Sequence, residues 1–267
     1  LVAPDLIGCY LVKKNNEINT KTYKTILKEK QLAELIKKLN EKSVIAVDTE
    51  TSSLNPQEAD LVGISLCYEA NEAFYIPVGH TEKTELKKDI VLKKLKPLLE
   101  DPSIKKVGQN IKYDFIIFKN HGIELSSVED TMLLSYTLDA GNNRHNMDTL
   151  SELHLGHKTI SYKDLVGTGK KQLNFSEVDL KSATEYAAED ADITLRLYEV
   201  LSERVSKEKL EKIYEEFEKP MIKILSKLES SGVKVDDAYL KKLSKKFEER
   251  LITIEKEIYK ISGKEFN

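Results

Sequence analysis

A short, uninterrupted apolar run is the feature that most restricts the fold of this chain. Residues 43–47 read Ser-Val-Ile-Ala-Val, and Asp48, Thr49 and Glu50 follow at once. A strand whose successive side chains are all apolar is typical of the centre of a sheet that is covered on both faces. The run therefore predicts an α/β fold, with two acidic residues at the end of its most buried strand.

The spacing of the other apolar residues predicts the rest of the first half. Apolar residues at helical spacing occur at Leu32, Leu35, Ile36 and Leu39, and again within residues 91–99. A third helix is predicted around the apolar residues 115–118. Strands are predicted at residues 22–27, 43–47, 61–68, 73–78 and 106–109. The resulting order, β-α-β-β-β-α-β-α, predicts a mixed central sheet flanked by helices.

The second half is predicted to be almost entirely helical. Residues 180–230 form one long helical stretch in which only Pro220 should end or kink the helix. A last helix is predicted over residues 237–261. With the segment from residue 210 onward it would form a Lys/Glu-rich hairpin whose apolar stripe lacks a partner.

Composition excludes several classes of protein. With 267 residues, 40% of them hydrophobic, the chain can form one large domain or two small ones. Cys9 and Cys67 provide neither a disulfide framework nor a zinc site, which agrees with a reducing cytoplasm. The net charge of −3 excludes a generic basic nucleic-acid binder, so a polyanion site must be a local patch or use metal ions. No apolar run approaches the length of a membrane span.

Asp48 and Glu50 form the first candidate site. Side chains two positions apart on a strand point to the same face, roughly 7 Å apart. Two carboxylates at the end of a buried strand repel each other and lose hydration, and hard cations such as Mg²⁺ or Mn²⁺ would relieve both costs. The alternative is a strand-end aspartate that caps a turn beside a solvated glutamate.

Two further motifs each combine an aspartate with a residue four positions earlier. Tyr186 and Asp190 lie side by side on one helix face, whereas Glu189 and Asp192 are expected on a solvated face. Asp114 follows Asn110 at a strand-to-helix junction and should border the core. Its alternative role is to complement the helix dipole. Nearby Gln109, Asn110 and Lys112 offer donors suited to phosphate or sugar oxygens.

Together these three motifs resemble the exonuclease motifs of the proofreading superfamily. Longer stretches also match, and from about residue 22 the chain resembles the bacterial DNA polymerase I family (family A). The matching stretches are residues 107–114, 130–133, 144–148, 186–194, 220–221 and 231–236. The resemblance implies an RNase H-like fold and the removal of nucleotides from DNA 3′ ends.

The resemblance also implies a two-metal site. Asp48, Glu50 and Asp190 would hold one divalent ion, Mg²⁺ or Mn²⁺, and Asp48 would bridge to a second ion near Asp114. Tyr186 would orient the attacking water. In-line displacement at phosphate suits two ions about 3.5–4 Å apart. All five positions carry the family residue, so the catalytic set is expected to be intact.

Substrate contacts are predicted from the same resemblance. Leu54 would wedge against the terminal base, or else it covers the core as an ordinary loop residue. Tyr162 would stack on a base of the frayed strand, worth about 1–3 kcal/mol. Gln109, Asn110 and Arg144 would bind phosphates or the terminal nucleotide. The sequence assigns no role to the histidines His80, His121, His154 and His157.

The resemblance predicts three segments. Residues 1–21 are a lead-in of unclear role, residues 22–209 the exonuclease domain, and residues 210–267 the helical start of a polymerase domain, including the base of its thumb. Because the polymerase motifs are missing from the printed sequence, we expect a fragment that does not extend primers. Its expected partners are single-stranded or frayed DNA 3′ ends and the remainder of the polymerase chain, and it should be a bacterial, cytoplasmic monomer.

Two alternatives remain at this stage. One is a stand-alone exoribonuclease of the same superfamily, which would act on RNA 3′ ends with the same chemistry. The other is a non-catalytic DNA-binding or scaffold module. The polymerase-like sequence after Pro220 argues against the first alternative. The presence of all the acidic residues of the three motifs argues against the second.

Overall fold

A computed structural model describes residues 18–82 and 84–266 of the chain. The chain divides into two compact units, and the boundary lies between Ser230 and Ser231. Most of the predicted lead-in, including Cys9, falls outside the described residues. Within the described part, every helix is too short or too polar to cross a bilayer.

A six-stranded mixed sheet forms the centre of the first unit. Its strands are β1 (Lys24–Thr25), β2 (Val44–Thr51), β3 (Leu61–Glu69), β4 (Glu72–Pro77), β5 (Lys105–Gly108) and β6 (Val128–Asp130). The spatial order is β1-β4-β3-β2-β5-β6. The pairs β2/β3 and β3/β4 are antiparallel, and the other three pairs are parallel. This confirms the predicted mixed α/β sheet, with β2 near its middle.

Nine α-helices accompany the strands in the described part of this unit, besides short 3₁₀ and π-helical turns. They are α1 (Glu29–Leu39), α2 (Lys88–Glu100), α3 (Lys112–Asn120), α4 (Thr131–Asp139), α5 (Met147–Leu155), α6 (Tyr162–Val166), α7 (Leu180–Lys207), α8 (Glu211–Ile213) and α9 (Lys219–Ser231). Aspartates cap the N-termini of two of them. Asp130 accepts a hydrogen bond from the Met132 N–H at the start of α4, and Asp179 accepts one from the Ser182 N–H at the start of α7.

Strand β2 is covered on both faces, as its apolar run predicts. Ile45 and Val47 lie in the largest core cluster, together with apolar residues of α1, α2 and α3. Ala46 points the other way and packs with Ala188 and Ala191 of α7. Side chains that share the face of Ala46, two and four positions along β2, therefore also point towards α7.

Three predictions about the elements need correction. Strand β6 was not predicted, because its three residues include two acidic side chains whose burial depends on distant partners. Strand β2 also continues beyond its apolar run, so the acidic residues lie within it and not after it. The predicted strand at residues 22–27 is reduced to the two residues of β1.

The predicted single helical stretch over residues 180–230 is also interrupted earlier than Pro220. Helix α7 ends at Lys207, and Lys209 has a φ of 60°. After α8, residues Tyr214–Glu218 form a π-helical turn. Helix α9 then runs through Pro220, near its start, to Ser231. The wide turn directly before Pro220 lets the helix continue past a residue that has no N–H to donate.

The second unit contains α10 (Asp237–Ser262), close to the predicted limits. Asp236 caps this helix by accepting from the Tyr239 N–H at 2.9 Å. Leu240, Phe247 and Leu251, three residues of the predicted apolar stripe, are exposed on α10.

Candidate metal centre

Strand β2 places two carboxylates on the side of the sheet that faces α7. Asp48 and Glu50 alternate with Thr49, so both share the face of Ala46. Asp48 is half-buried and Glu50 is 8% exposed. Glu50 lies opposite Gly63 of β3, and the Tyr75 ring and hydroxyl fill the space that a side chain at Gly63 would need.

Helix α7 brings a third carboxylate to the same place. Ala187, Ala188 and Ala191 are fully buried against the sheet, so the helix backbone can approach closely. Oxygen atoms of Asp48, Glu50 and Asp190 all lie within 4.8 Å of one another. The structure thus brings together, from residues far apart in the chain, the three carboxylates that the sequence assigned to one metal ion.

The fourth predicted carboxylate comes from α3. Asp114 is 2% exposed and accepts a hydrogen bond from the Thr49 hydroxyl at 2.5 Å. Its charge raises the pKa of Glu50, and the charge of Asp48 raises the pKa of Asp114, although Asp114 is not a member of the close group of three. Thr49, which the sequence analysis did not single out, therefore ties α3 to the strand that carries the other acids.

The electrostatics of the site favour protons or cations. Burial raises the pKa of Asp48 to about 6. Burial, followed by repulsion from neighbouring carboxylates, raises the pKa of Glu50, Asp114 and Asp190 well above the usual range. Carboxylate oxygens held together in this way are the donors that hard divalent cations prefer, so the donor set fits Mg²⁺ or Mn²⁺.

Tyr186 lies next to Asp190, one turn earlier on α7. Burial and the nearby carboxylates raise its pKa well above the usual value of a phenol, so it stays protonated. The charge of Asp190 acts on this hydroxyl. Its ring contacts Phe175 and Tyr162, with ring centroids 6.0 and 5.9 Å away. Phe175 is fully buried at the start of a 3₁₀ turn, and the sequence analysis did not single it out.

Some of the residues predicted to contact the substrate have side chains exposed to solvent, and others already bind partners within the protein. Leu54 is 96% exposed in the loop after β2, and Tyr162 is 41% exposed with its ring stacked on Phe175. Asn110 and Arg144 are exposed as well. These four side chains are accessible from solvent, as a contact with substrate requires.

Gln109 and Lys112, in contrast, already have partners within the protein. The Gln109 side-chain amide donates to the His145 carbonyl at 2.7 Å and accepts from the Thr131 hydroxyl. Lys112 forms an ion pair with Glu229 of α9. A substrate phosphate would have to compete with these contacts, so their predicted role as substrate contacts remains a prediction.

The expectation that Glu189 and Asp192 lie on a solvated face was wrong. Glu189 is 1% exposed and accepts from His157 Nε2 at 2.9 Å and from the Ile160 N–H at 2.6 Å. Asp192 is fully buried and pairs with Arg196 at 2.9 Å. The missed signal is that α7 carries apolar residues on every side near its middle, which indicates a helix buried all round.

Sequence comparisons place these motifs among known proteins. A family model for the 3′–5′ exonuclease of DNA polymerase A matches residues 23–206. The chain is 42% identical, over 244 residues, to DNA polymerase I of Rhizobium leguminosarum. That match covers 84% of this chain and 24% of the relative, so the chain spans about a quarter of that relative's length.

Solved structures share the fold. The POL domain of Pol1 from M. smegmatis, in complex with DNA primer-template and dNTP, aligns with a TM-score of 0.70 and 19% identity, over 91% of this chain and 38% of that one. Brucella melitensis NrnC with bound Mg²⁺ aligns with a TM-score of 0.56 and 21% identity, over 78% of this chain and 90% of that one. The RNase H-like fold expected from the sequence is thereby confirmed.

Proposed function

The chain belongs to the 3′–5′ exonuclease family of DNA polymerase A, and we propose that it hydrolyses the terminal phosphodiester bond of DNA 3′ ends and releases nucleoside monophosphates. The observation that carries this proposal is the group of three carboxylates within 4.8 Å of one another, next to Tyr186. Exonuclease domains of this superfamily use divalent metal ions, and the donor set here suits them.

We assign the carboxylates to two ions, Mg²⁺ or Mn²⁺. Asp48, Glu50 and Asp190 would hold the first ion, and Asp48 and Asp114 the second. When bound, the two ions supply the Lewis acidity that in-line displacement at a phosphate needs. The protein's own part is to hold four acidic side chains together, at the electrostatic cost that their raised pKa values record.

Tyr186 is proposed to orient the attacking water. Its protonated hydroxyl lies next to Asp190, and the lone pairs of the phenol oxygen can accept a hydrogen bond. A water that donates to this oxygen would be held beside the carboxylates in a fixed direction. Because the pKa of Tyr186 is strongly raised, the side chain is not a general base at neutral pH.

The substrate side of the proposal rests on the exposed residues around the acids. Leu54 and Tyr162 would contact the terminal bases, and Asn110 and Arg144 the phosphates or the terminal nucleotide. Gln109 and Lys112 would contribute only by exchanging their present partners. We propose single-stranded or frayed DNA 3′ ends as the substrate class.

The wider setting is proposed from the relatives. We propose that residues 22–209 are the proofreading exonuclease domain of a DNA polymerase I, that residues 210–267 begin its polymerase domain, and that the remainder of such a polymerase is the partner. A monomer in the bacterial cytoplasm fits this proposal.

The test is digestion of a 5′-labelled single strand with Mg²⁺ or Mn²⁺ and with EDTA as control. We expect a ladder that shortens from the 3′ end and vanishes in EDTA. Asp48→Ala or Asp190→Ala should lower turnover by several orders of magnitude while DNA binding largely survives. Asp179→Ala, which removes only the cap of α7, is the matched control.

Three outcomes would count against the proposal. They are shortening from the 5′ end, undiminished cleavage in EDTA, and near wild-type turnover of either aspartate variant. An RNA strand of the same sequence, run beside the DNA, distinguishes the exoribonuclease alternative.

A further inference from the structure

A buried aspartate outside the carboxylate group holds the backbone at the start of α3. Asp130 is 2% exposed, and its carboxylate accepts from the backbone N–H groups of Asn110 and Ile111, both at 3.0 Å. Helix α3 begins at the next residue, Lys112, and carries Asp114 in its first turn. Asp130 therefore fixes the point from which Asp114 reaches the metal centre.

This junction depends on such support. Asn110 has a φ of 60°, in the left-handed region that residues other than glycine seldom adopt. A conformation of this kind persists where surrounding groups determine it. Two oxygens on one side chain supply acceptors for two adjacent N–H groups that have no partner within the helix. A side chain with a single acceptor oxygen cannot serve both groups equally well.

Asp130 is itself held by the helical segment that follows α7. The Tyr214 hydroxyl accepts from the Asp130 N–H at 3.0 Å and donates to Glu129 Oε2 at 3.0 Å. Tyr214 and Glu129 are each 3% exposed, and Lys219 Nζ pairs with Glu129 at 2.8 Å. This segment lies beyond the family match, which ends at residue 206.

We propose that Asp130 is a positioning residue of the nuclease site, that Tyr214 supports it, and that together they set the affinity of the metal position at Asp114. The inference rests on the proposed function for the identity of the site. It makes the segment after α7 part of the nuclease, because that segment completes the hydrogen bonding of the strand that holds α3 in place.

The test compares Asp130→Asn, Tyr214→Phe and a matched control, Tyr23→Phe, in the full chain. Mn²⁺ binding is measured directly by electron paramagnetic resonance, and single-turnover cleavage is measured across a Mn²⁺ titration. Asp130→Asn turns one of its two acceptors into a donor that faces a backbone N–H. We expect the Mn²⁺ position at Asp114 to lose about 10- to 100-fold in affinity. Tyr214→Phe should also lower this Mn²⁺ affinity, but by a smaller factor.

Tyr23→Phe separates positioning from stability. The Tyr23 hydroxyl also donates to a buried carboxylate, Asp192, at 2.8 Å. The other described hydrogen bonds of Asp192 come from Cys67, Asn71 and Arg196, and not from the start of α3. This variant should lose comparable stability and keep wild-type Mn²⁺ binding.

If Asp130→Asn and Tyr214→Phe bind Mn²⁺ like the wild type, well below their unfolding temperatures, the inference is wrong. If Asp130→Asn does not fold, the Mn²⁺ affinity of Tyr214→Phe alone tests the inference. If the variants lose Mn²⁺ at the Asp114 position but the wild type never cleaves DNA, the proposed function is wrong and the positioning role still holds.

Discussion

Tyr186 and Asp190 share one face of α7, yet they are expected to contribute very differently. Asp190 offers a carboxylate oxygen to the metal centre, whereas Tyr186 offers one neutral hydroxyl beside it. The difference lies in the residue types and their protonation states, and it can be tested one substitution at a time.

We predict that Tyr186→Phe slows cleavage by roughly 5- to 150-fold, because one neutral hydrogen bond is worth about 1–3 kcal/mol. Metal affinity should be nearly unchanged, since the carboxylates remain. Single-turnover cleavage of a short oligonucleotide across a Mn²⁺ titration measures both quantities. A variant as inactive as Asp190→Ala, or one that excess metal rescues, would show that Tyr186 has another role.

Asp48 makes the metal-free protein sensitive to pH. Its pKa is raised from 3.8 to about 6, so between these values the folded state binds more protons than the unfolded state. The free energy of unfolding therefore falls as the pH rises through this window, and the loss is complete above about pH 6. The neighbouring acids, whose pKa values are also raised, act in the same direction.

We predict that Asp48→Asn makes the metal-free protein more stable at pH 8, by about 1–3 kcal/mol. Thermal unfolding in EDTA from pH 5 to pH 8 measures the effect. As the pH rises across this range, the variant should lose less stability than the wild type. Added Mn²⁺ should also stabilise the variant less than the wild type. Equal pH dependence of the two proteins would refute the electrostatic account.

At the scale of elements, the small side chains of α7 decide how close this helix lies to the sheet. Ala188 is fully buried and packs with Ala46, Cys67 and Ala73. The close approach also brings Asp190 to the acids of β2. One surface of one helix therefore serves both the core and the metal centre.

Ala188→Leu should destabilise the protein by about 1–3 kcal/mol, because the added methyl groups have no space between the helix and the sheet. Cleavage measured below the unfolding temperature should fall as well, since Asp190 moves with α7. Ala33→Leu on the exposed face of α1 is the control and should stay within about 0.5 kcal/mol. Full activity of folded Ala188→Leu would show that the site tolerates movement of α7.

At the scale of the whole molecule, the first compact unit reaches further along the chain than the family match. The match ends at residue 206, but Tyr214, Ile222 and Ser226 are all buried within this unit, and the unit ends at Ser230. The predicted domain limit at residue 209 stays a prediction, and truncation can test it.

A chain that ends at residue 230 should keep the unfolding midpoint and the cleavage rate of the first unit. A chain that ends at residue 209 should have a free energy of unfolding lower by at least about 3 kcal/mol. It lacks the buried side chains of Tyr214 and Ile222, and Glu129 loses the hydrogen bond from the Tyr214 hydroxyl. Chemical denaturation of both chains measures the difference. Equal stability would place the end of the folded nuclease at residue 209.

The sequence by itself determined the elements whose signal is local. The apolar run of β2, the stripe of α1 and the spacing of Tyr186 and Asp190 each predicted the correct element, because side-chain period is a property of neighbouring residues. The three motifs also predicted which acids belong together, although their roles as metal ligands remain predictions.

Only the tertiary structure decided which polar residues are buried. Asp192 is covered because Tyr23, 169 positions away, donates to it, and Glu189 because His157, 32 positions earlier, binds it. Strand β6 likewise exists because Tyr214 and Lys219 satisfy its acidic side chain. A buried charge is stable only with a partner, and no local pattern indicates a partner supplied by a distant part of the chain.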